Sequence, residues 1–135
     1  MPRNLIVLLS ALSVLGCASV TPYKTQRPAP TSSTEALYSC AASLVSSFGY
    51  TVEQASKESG FFKADRSERK GASSIHWGAT LNEELTVFIL SVPGQPPTLQ
   101  VTAASNYSSG RNLRLVDPSE QTKAEADKII ATCAK

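Results

Sequence analysis

The eleven-residue apolar run Leu5–Leu15 constrains this chain more than any other stretch. It follows a single basic residue, Arg3, and contains only apolar residues and two serines. A membrane-spanning helix needs about 20 apolar residues, so this run is too short to span a bilayer. A short apolar run behind a positive charge at the N-terminus is typical of an export signal. The folded part of the protein is therefore expected downstream, in an oxidising compartment.

The run ends in Val14-Leu15-Gly16-Cys17. This ending resembles the lipobox of bacterial lipoprotein precursors, although the position two before the cysteine is usually small and is Leu15 here. The resemblance implies a diacylglyceryl group on Cys17, cleavage before it and acylation of the new amine. Ala18, rather than an aspartate, resembles the outer-membrane sorting pattern. The alternative is ordinary signal-peptidase cleavage near Ala18 or Ser19, which would discard Cys17.

We predict three regions: a signal peptide at 1–16, a lipidated Cys17 with a tether at 17–33, and a single domain at 34–135. The tether prediction rests on a segment rich in proline and hydroxyl groups, with little to bury. Removal of residues 1–16 takes one arginine from the thirteen basic residues and leaves twelve against eleven acidic ones. The charges are interspersed, which argues against a nucleic-acid partner.

Apolar periodicity predicts an α+β domain with the order helix, four or five antiparallel strands, helix, and with both helices on one sheet face. The first helix is expected to begin at Ser32 or Ser33, with a Ser32–Glu35 capping box, and to end at Gly49. The last helix is expected to begin at Asp117 and Pro118. Strands are predicted at 50–55, 61–66, 85–92, 98–105 and, at an edge, 113–116. The run at 85–92 is apolar on both alternating faces, so it is expected to be central, with helices on one side and another surface on the second.

Cys40 and Cys133 are the two thiols left if Cys17 is lipidated, and each lies on the apolar stripe of its helix. A disulfide that ties the helices is favoured over two buried free thiols. Neither a metal site nor a cofactor is indicated, because the chain has one histidine, His76, and His76 is interpreted as a loop residue. The acidic residues at 65, 68, 83 and 84 are interpreted as a solvated edge.

The one surface proposed for a partner is the basic segment 66–78 together with Arg111 and Arg114. Arginine beside aromatic residues is the composition that interface hot spots favour, which selects Arg66, Arg69, Trp77 and Arg111. The alternative is a solvated loop with Trp77 folded onto the sheet edge.

The leading functional prediction is a non-catalytic, lipid-anchored binding or scaffolding module on the periplasmic face of the outer membrane. The layout is similar in outline to accessory subunits of outer-membrane assembly machines and to pilotins, at the level of fold alone. The alternative is a periplasmic inhibitor or ligand-binding lipoprotein, of lysozyme-inhibitor type, that uses the 106–114 loop.

Overall fold

A computed structural model describes residues 19–69 and 80–135. In these ranges the chain forms two helices, α1 (Thr34–Ser47) and α2 (Glu120–Cys133). It also forms six strands, which are β1 (Tyr23–Pro28), β2 (Thr51–Ser56), β3 (Phe61–Arg69), β4 (Thr80–Leu90), β5 (Thr98–Ser109) and β6 (Asn112–Val116). The predicted α+β class is confirmed, and both helices pack on one face of a single antiparallel sheet.

The strands lie in the order β2, β3, β4, β5, and the outer edge of β5 is shared by two further strands. β1 pairs with Thr98–Ala103 of β5, and β6 pairs with Ser105–Ser109. β1 and β6 therefore lie end to end along one edge of β5. Short turns join β2 to β3, β4 to β5 and β5 to β6 as hairpins.

The core lies between the helices and the sheet, and strict alternation in the two central strands builds its floor. Every second residue from Leu81 to Ile89 and from Leu99 to Ser105 is buried. The helices add Leu37, Ala41 and Val45 from α1, and Ala126, Ile129 and Ile130 from α2. The prediction of a central strand near Leu85–Val92 is confirmed, with a start five residues earlier than expected.

The predicted tether is wrong over residues 23–28, which form β1. Tyr23 lies on the helix side of the sheet, and its hydroxyl donates to the carboxylate of Asp127 in α2 at 2.9 Å. Residues 23–28, which lie before the predicted domain, therefore belong to its sheet, and the described sheet has six strands instead of the predicted four or five. The edge strand predicted at 113–116 is confirmed as β6.

The start of the first helix is confirmed at Ser33, but its predicted capping box and the start of the last helix need correction. Ser33, not Ser32, caps α1, because its Oγ accepts from the amide of Ala36 at 3.1 Å. Glu35 pairs with Lys57 at 2.8 Å instead of closing a capping box. Ser119, two residues after Asp117, caps α2. The end of α1 is as predicted, since Gly49 adopts a φ of 84°, which favours glycine.

Candidate functional site

Arg66, expected in an exposed basic surface, lies on β3 and points toward the helices. Its side chain is 13% exposed and reaches the space between β4 and α2. The guanidinium donates to Glu83 Oε2 at 2.7 Å, to both Glu125 oxygens at 3.1 Å and to the carbonyl oxygen of Phe48 at 2.7 Å. It also lies 4.3 Å from the centre of the Tyr50 ring. The prediction that Arg66 binds a partner is wrong, because the domain itself occupies its donors.

Glu83 anchors the other side of this cluster, and its interpretation as a solvated edge residue is also wrong. Its second oxygen accepts from the hydroxyls of Ser119, at 2.6 Å, and Thr122. Burial raises the pKa of Glu83, but the hydrogen bonds from Ser119, Thr122 and Arg66 outweigh burial, so the pKa is lowered overall. The carboxylate also faces the N-terminus of α2, where negative charge is favourable.

Tyr50 and Glu125 complete the cluster. The Tyr50 hydroxyl donates to Glu125 Oε2 at 2.8 Å, and burial is the main reason that the pKa of Tyr50 is raised. Burial opposes the charge of Arg66, yet its hydrogen bonds to Glu125 and Glu83 raise its pKa overall. In this cluster the carboxylates of Glu83 and Glu125 accept hydrogen bonds from Arg66 and from nearby hydroxyls, so no charged group is left without a partner. The cluster therefore holds α2 and the end of α1 onto the sheet.

Of the other predicted partner-binding residues, the described part of the chain contains Arg69 and Arg111. Arg69 ends β3 opposite Thr80, and Arg111 is exposed in the turn between β5 and β6. Both positions are at the same end of the sheet. Trp77, His76 and Lys70 lie outside the described residues, as does Cys17. The predicted 106–114 loop is a hairpin, formed by the end of β5, a turn at 110–111 and β6.

Cys40 and Cys133 form a disulfide between α1 and α2, with Cα atoms 5.8 Å apart. This separation lies within the range that disulfides need. The residues that follow the two cysteines, Ala41 and Ala134, are small and buried, which is compatible with a close approach of the helices. The disulfide closes a loop of 93 residues that includes the whole β2–β6 sheet.

The sheet face away from the helices was not singled out by the sequence, and no described element covers it. Its centre is half-buried and carries Lys63 and Glu84, which pair at 2.7 Å, between an aromatic pair and a polar row. The rings of Phe61 and Phe88 lie 5.0 Å apart at one end. At the other end, hydrogen bonds of 2.9–3.1 Å join Ser67, Asn82, Asn106 and Ser108. We call this surface the open face.

The open face could be recognised from the sequence, because apolar and polar residues alternate along β4 and β5. Between the buried positions of β4 stand Thr80, Asn82, Glu84, Thr86 and Phe88, and β5 carries Thr98, Gln100, Thr102, Ala104 and Asn106 in the same way. A half-buried strand alternates in this pattern. The sequence interpretation took 85–92 as apolar on both faces, and therefore expected a second cover.

A shallow apolar hollow lies where β1 and β6 meet along β5. Val20, Pro22, Ala104 and Leu115 are among the residues that line it, and its volume is about 30 Å³. That is room for about two water molecules at most, which is too small for a substrate. In residues 19–69 and 80–135, three or more acidic, histidine or cysteine side chains are nowhere arranged to hold a metal ion. Neither helix of this part is long and apolar enough to cross a membrane.

Comparison with known proteins gives a likeness in fold. No protein-family model and no curated protein matches the chain. A DUF4468 family protein from Bacteroides ovatus superposes with a TM-score of 0.49 at 9% identity, over 70% of this chain and 59% of the other. A TBP-like protein from Parabacteroides distasonis gives 0.40 at 9% identity, over 71% and 64%. The chain spans less than two thirds of each of these proteins, and we base no functional conclusion on them.

Proposed function

We propose that this chain is a non-catalytic, lipid-anchored module on the periplasmic face of the outer membrane, and that it binds another envelope protein with its open face. The observation that carries the binding role is the open face itself. It presents paired aromatic rings and a row of amides and hydroxyls, whereas the charged groups of the Arg66 cluster are paired inside the domain.

The chemistry of the open face favours a polar, hydrogen-bonding protein surface as its partner. Lys63 pairs with Glu84 at the centre, and Asp65 lies directly across from Glu84 on the same face. The surrounding threonine, asparagine and glutamine side chains are neutral. Aromatic anchors within a polar surround are typical of protein interfaces, and Phe61 and Phe88 supply such anchors. No cofactor is needed for this role.

The anchor is proposed from the lipobox-like ending at Cys17, and the position of β1 shortens the tether that follows it. Five residues, 18–22, separate Cys17 from Tyr23, the first residue of β1. Even fully extended, such a segment spans at most about 20 Å, and Val20 and Pro22 within it already line the hollow beside β5 and β6. The domain would then lie close to the lipid headgroups rather than well clear of them.

Site-specific photocrosslinking in intact cells tests the proposal. A photoreactive phenylalanine derivative is placed at Thr86 or Thr102, in the middle of the open face, and at Ala124, an exposed control position on α2. We expect the same envelope protein to be crosslinked from both positions on the face and not from Ala124. Release from the membrane by Cys17→Ser should weaken this crosslink, because the tether concentrates the module beside its partner.

Two results would contradict the proposal. Equal crosslinking from Thr86, Thr102 and Ala124 would mean that the open face is ordinary solvated surface. With a further probe at Arg111, in the turn between β5 and β6, a soluble periplasmic enzyme crosslinked there and nothing crosslinked from the open face would support an inhibitor instead.

A further inference from the structure

Three strands stand at the edges of the described sheet, and they differ in how their edges are protected. β2 has a register shift between Val52 and Gln54, and bulges of this kind discourage pairing with another chain. β1 carries Lys24 and Arg27 and ends at Pro28, and lysine and proline discourage edge pairing as well.

β6 has less protection than the other two edges. It pairs with β5 in an unbroken register and contains no proline. Its two leucines lie on the open face side, opposite Ser108 and Asn106, and they are the most exposed large apolar residues described, at 67% for Leu113 and 61% for Leu115. A regular edge strand with exposed apolar side chains is a template for another strand.

We propose that β6 pairs with β6 of a second copy of this chain, antiparallel and around a two-fold axis at Arg114, so that two sheets become one. The sequence of the strand, Asn-Leu-Arg-Leu-Val, supports this occupant. With Arg114 opposite Arg114 of the second copy, Leu113 lies opposite Leu115 of the second copy and Leu115 opposite Leu113. The same residues of both copies then form the interface, as two-fold symmetry requires.

Charge complementarity supports the same register. It places Arg111 opposite Asp117 of the second copy, and the two-fold axis repeats this pair, so two attractive pairs flank the strands. Both side chains are exposed and available for it. The cost is one pair of like charges at Arg114, on the axis. Opposite charges across two strands stabilise the pairing and like charges weaken it by similar amounts, so the balance is favourable.

Other registers are poorer. A shift by two residues in one direction places Leu115 opposite Arg111, and a shift in the other direction places Leu113 opposite Asp117. Each shift sets apolar side chains against charges and removes both Arg111–Asp117 pairs, which outweighs the relief of the single like-charge pair at Arg114. The composition of the strand and its flanks therefore selects one register for the second copy.

Disulfide trapping tests the register directly. In the full chain, Arg114→Cys places the new thiol on the two-fold axis, where facing residues have Cα atoms about 4.5–5.5 Å apart, within disulfide range. Asn112→Cys is the matched control on the same strand and face. Its counterpart in the second copy lies four residues away along the strands, about 13 Å, which is too far. We expect oxidation to give a homodimer from Arg114→Cys, and neither from Asn112→Cys nor from the parent chain.

A second variant separates edge pairing from random collision. Leu113→Lys with Leu115→Lys sets lysines opposite one another, and it should reduce trapping by Arg114→Cys at least about tenfold. The melting temperature should stay the same, because both leucines are mostly exposed. Equal trapping by the Asn112→Cys and Arg114→Cys variants, no dimer from Arg114→Cys, or a disulfide between the Arg114→Cys variant and a different protein would each overturn the proposal.

Discussion

The guanidinium of Arg66 joins β3 to Glu83 on β4, to Glu125 on α2 and to the end of α1. Such a buried group is tolerated because its partners are charged and close, and removal of one partner leaves an uncompensated charge. The cluster therefore contributes to the position of α2 as well as to stability.

Glu83→Gln should destabilise the domain by about 3 kcal/mol, because Arg66 would lose a buried charged partner and the hydroxyls of Ser119 and Thr122 a charged acceptor. Glu84→Gln is the matched control, since Glu84 is the next residue, is also ion-paired and lies on the opposite sheet face. Its more exposed pair with Lys63 should contribute less than about 1 kcal/mol. Urea unfolding of the two variants measures the difference, and equal losses would contradict the role of the cluster.

The lowered pKa of Glu83 predicts loss of stability in acid. Its contribution is fully present above the pKa of an unfolded glutamate, about 4.3, and it is lost as the pH falls through the lower pKa of the folded state. Melting temperatures of the wild type from pH 7 to pH 3 should fall in this window. The fall should be smaller in Glu83→Gln, and identical pH profiles would mean that Glu83 does not titrate as described.

The placement of Arg66 shows where the sequence interpretation reached its limit. Phe62 and Ala64 are buried, and Arg66 continues the same alternation by two residues, so the signal for an inward side chain was present. The residue was grouped with Arg69 and Trp77 because basic and aromatic residues cluster there in sequence. Only the pairing of β3 with β4 shows that Glu83 stands directly across from it.

At the scale of elements, the start of α2 depends on tertiary contacts that a local pattern does not contain. Asp117-Pro118 has the composition of a helix start, yet Ser119 is the cap, since its hydroxyl both accepts from the amide of Thr122 and donates to buried Glu83. The interaction with the sheet decides between two adequate local candidates.

Ser119→Ala should therefore cost about 2 kcal/mol, the sum of a lost cap and a lost hydrogen bond to a carboxylate. Asp117→Ala, the change at the position that the sequence favoured, should alter stability by less than about 0.5 kcal/mol. Chemical denaturation of both variants distinguishes them. A larger loss for Asp117→Ala would restore the earlier helix start.

The disulfide was predictable because both cysteines stand on apolar helical stripes, and the distance of 5.8 Å between their Cα atoms confirms the pairing. Closure of so long a loop should stabilise the fold by about 4.6 kcal/mol in the chain-entropy model. We expect a steep fall in melting temperature on reduction, and a similar fall for Cys40→Ala combined with Cys133→Ala. An unchanged melting temperature after complete reduction would show that the helices are held by packing alone.

For the whole molecule, the α+β class and the one-sided helices followed from periodicity, because alternating strands and amphipathic helices have few ways to bury their apolar faces. β1 could not be recognised in this way. Its residues, Tyr-Lys-Thr-Gln-Arg-Pro, have little to bury, and the strand forms because β5 offers an edge beside it. The open face was missed because threonine, asparagine and phenylalanine occur on both covered and uncovered sheet faces. Which face of the sheet is uncovered is known only once the positions of the helices are known.

The lipid anchor is the part of the proposal on which location and partner both depend, and it lies in residues outside the described structure. Metabolic labelling with a palmitate analogue, followed by separation of membranes from soluble protein, measures it most directly. We predict a labelled wild-type chain in the outer-membrane fraction and an unlabelled, soluble Cys17→Ser variant that keeps the same melting temperature. An unlabelled wild type in the soluble periplasmic fraction would contradict the account.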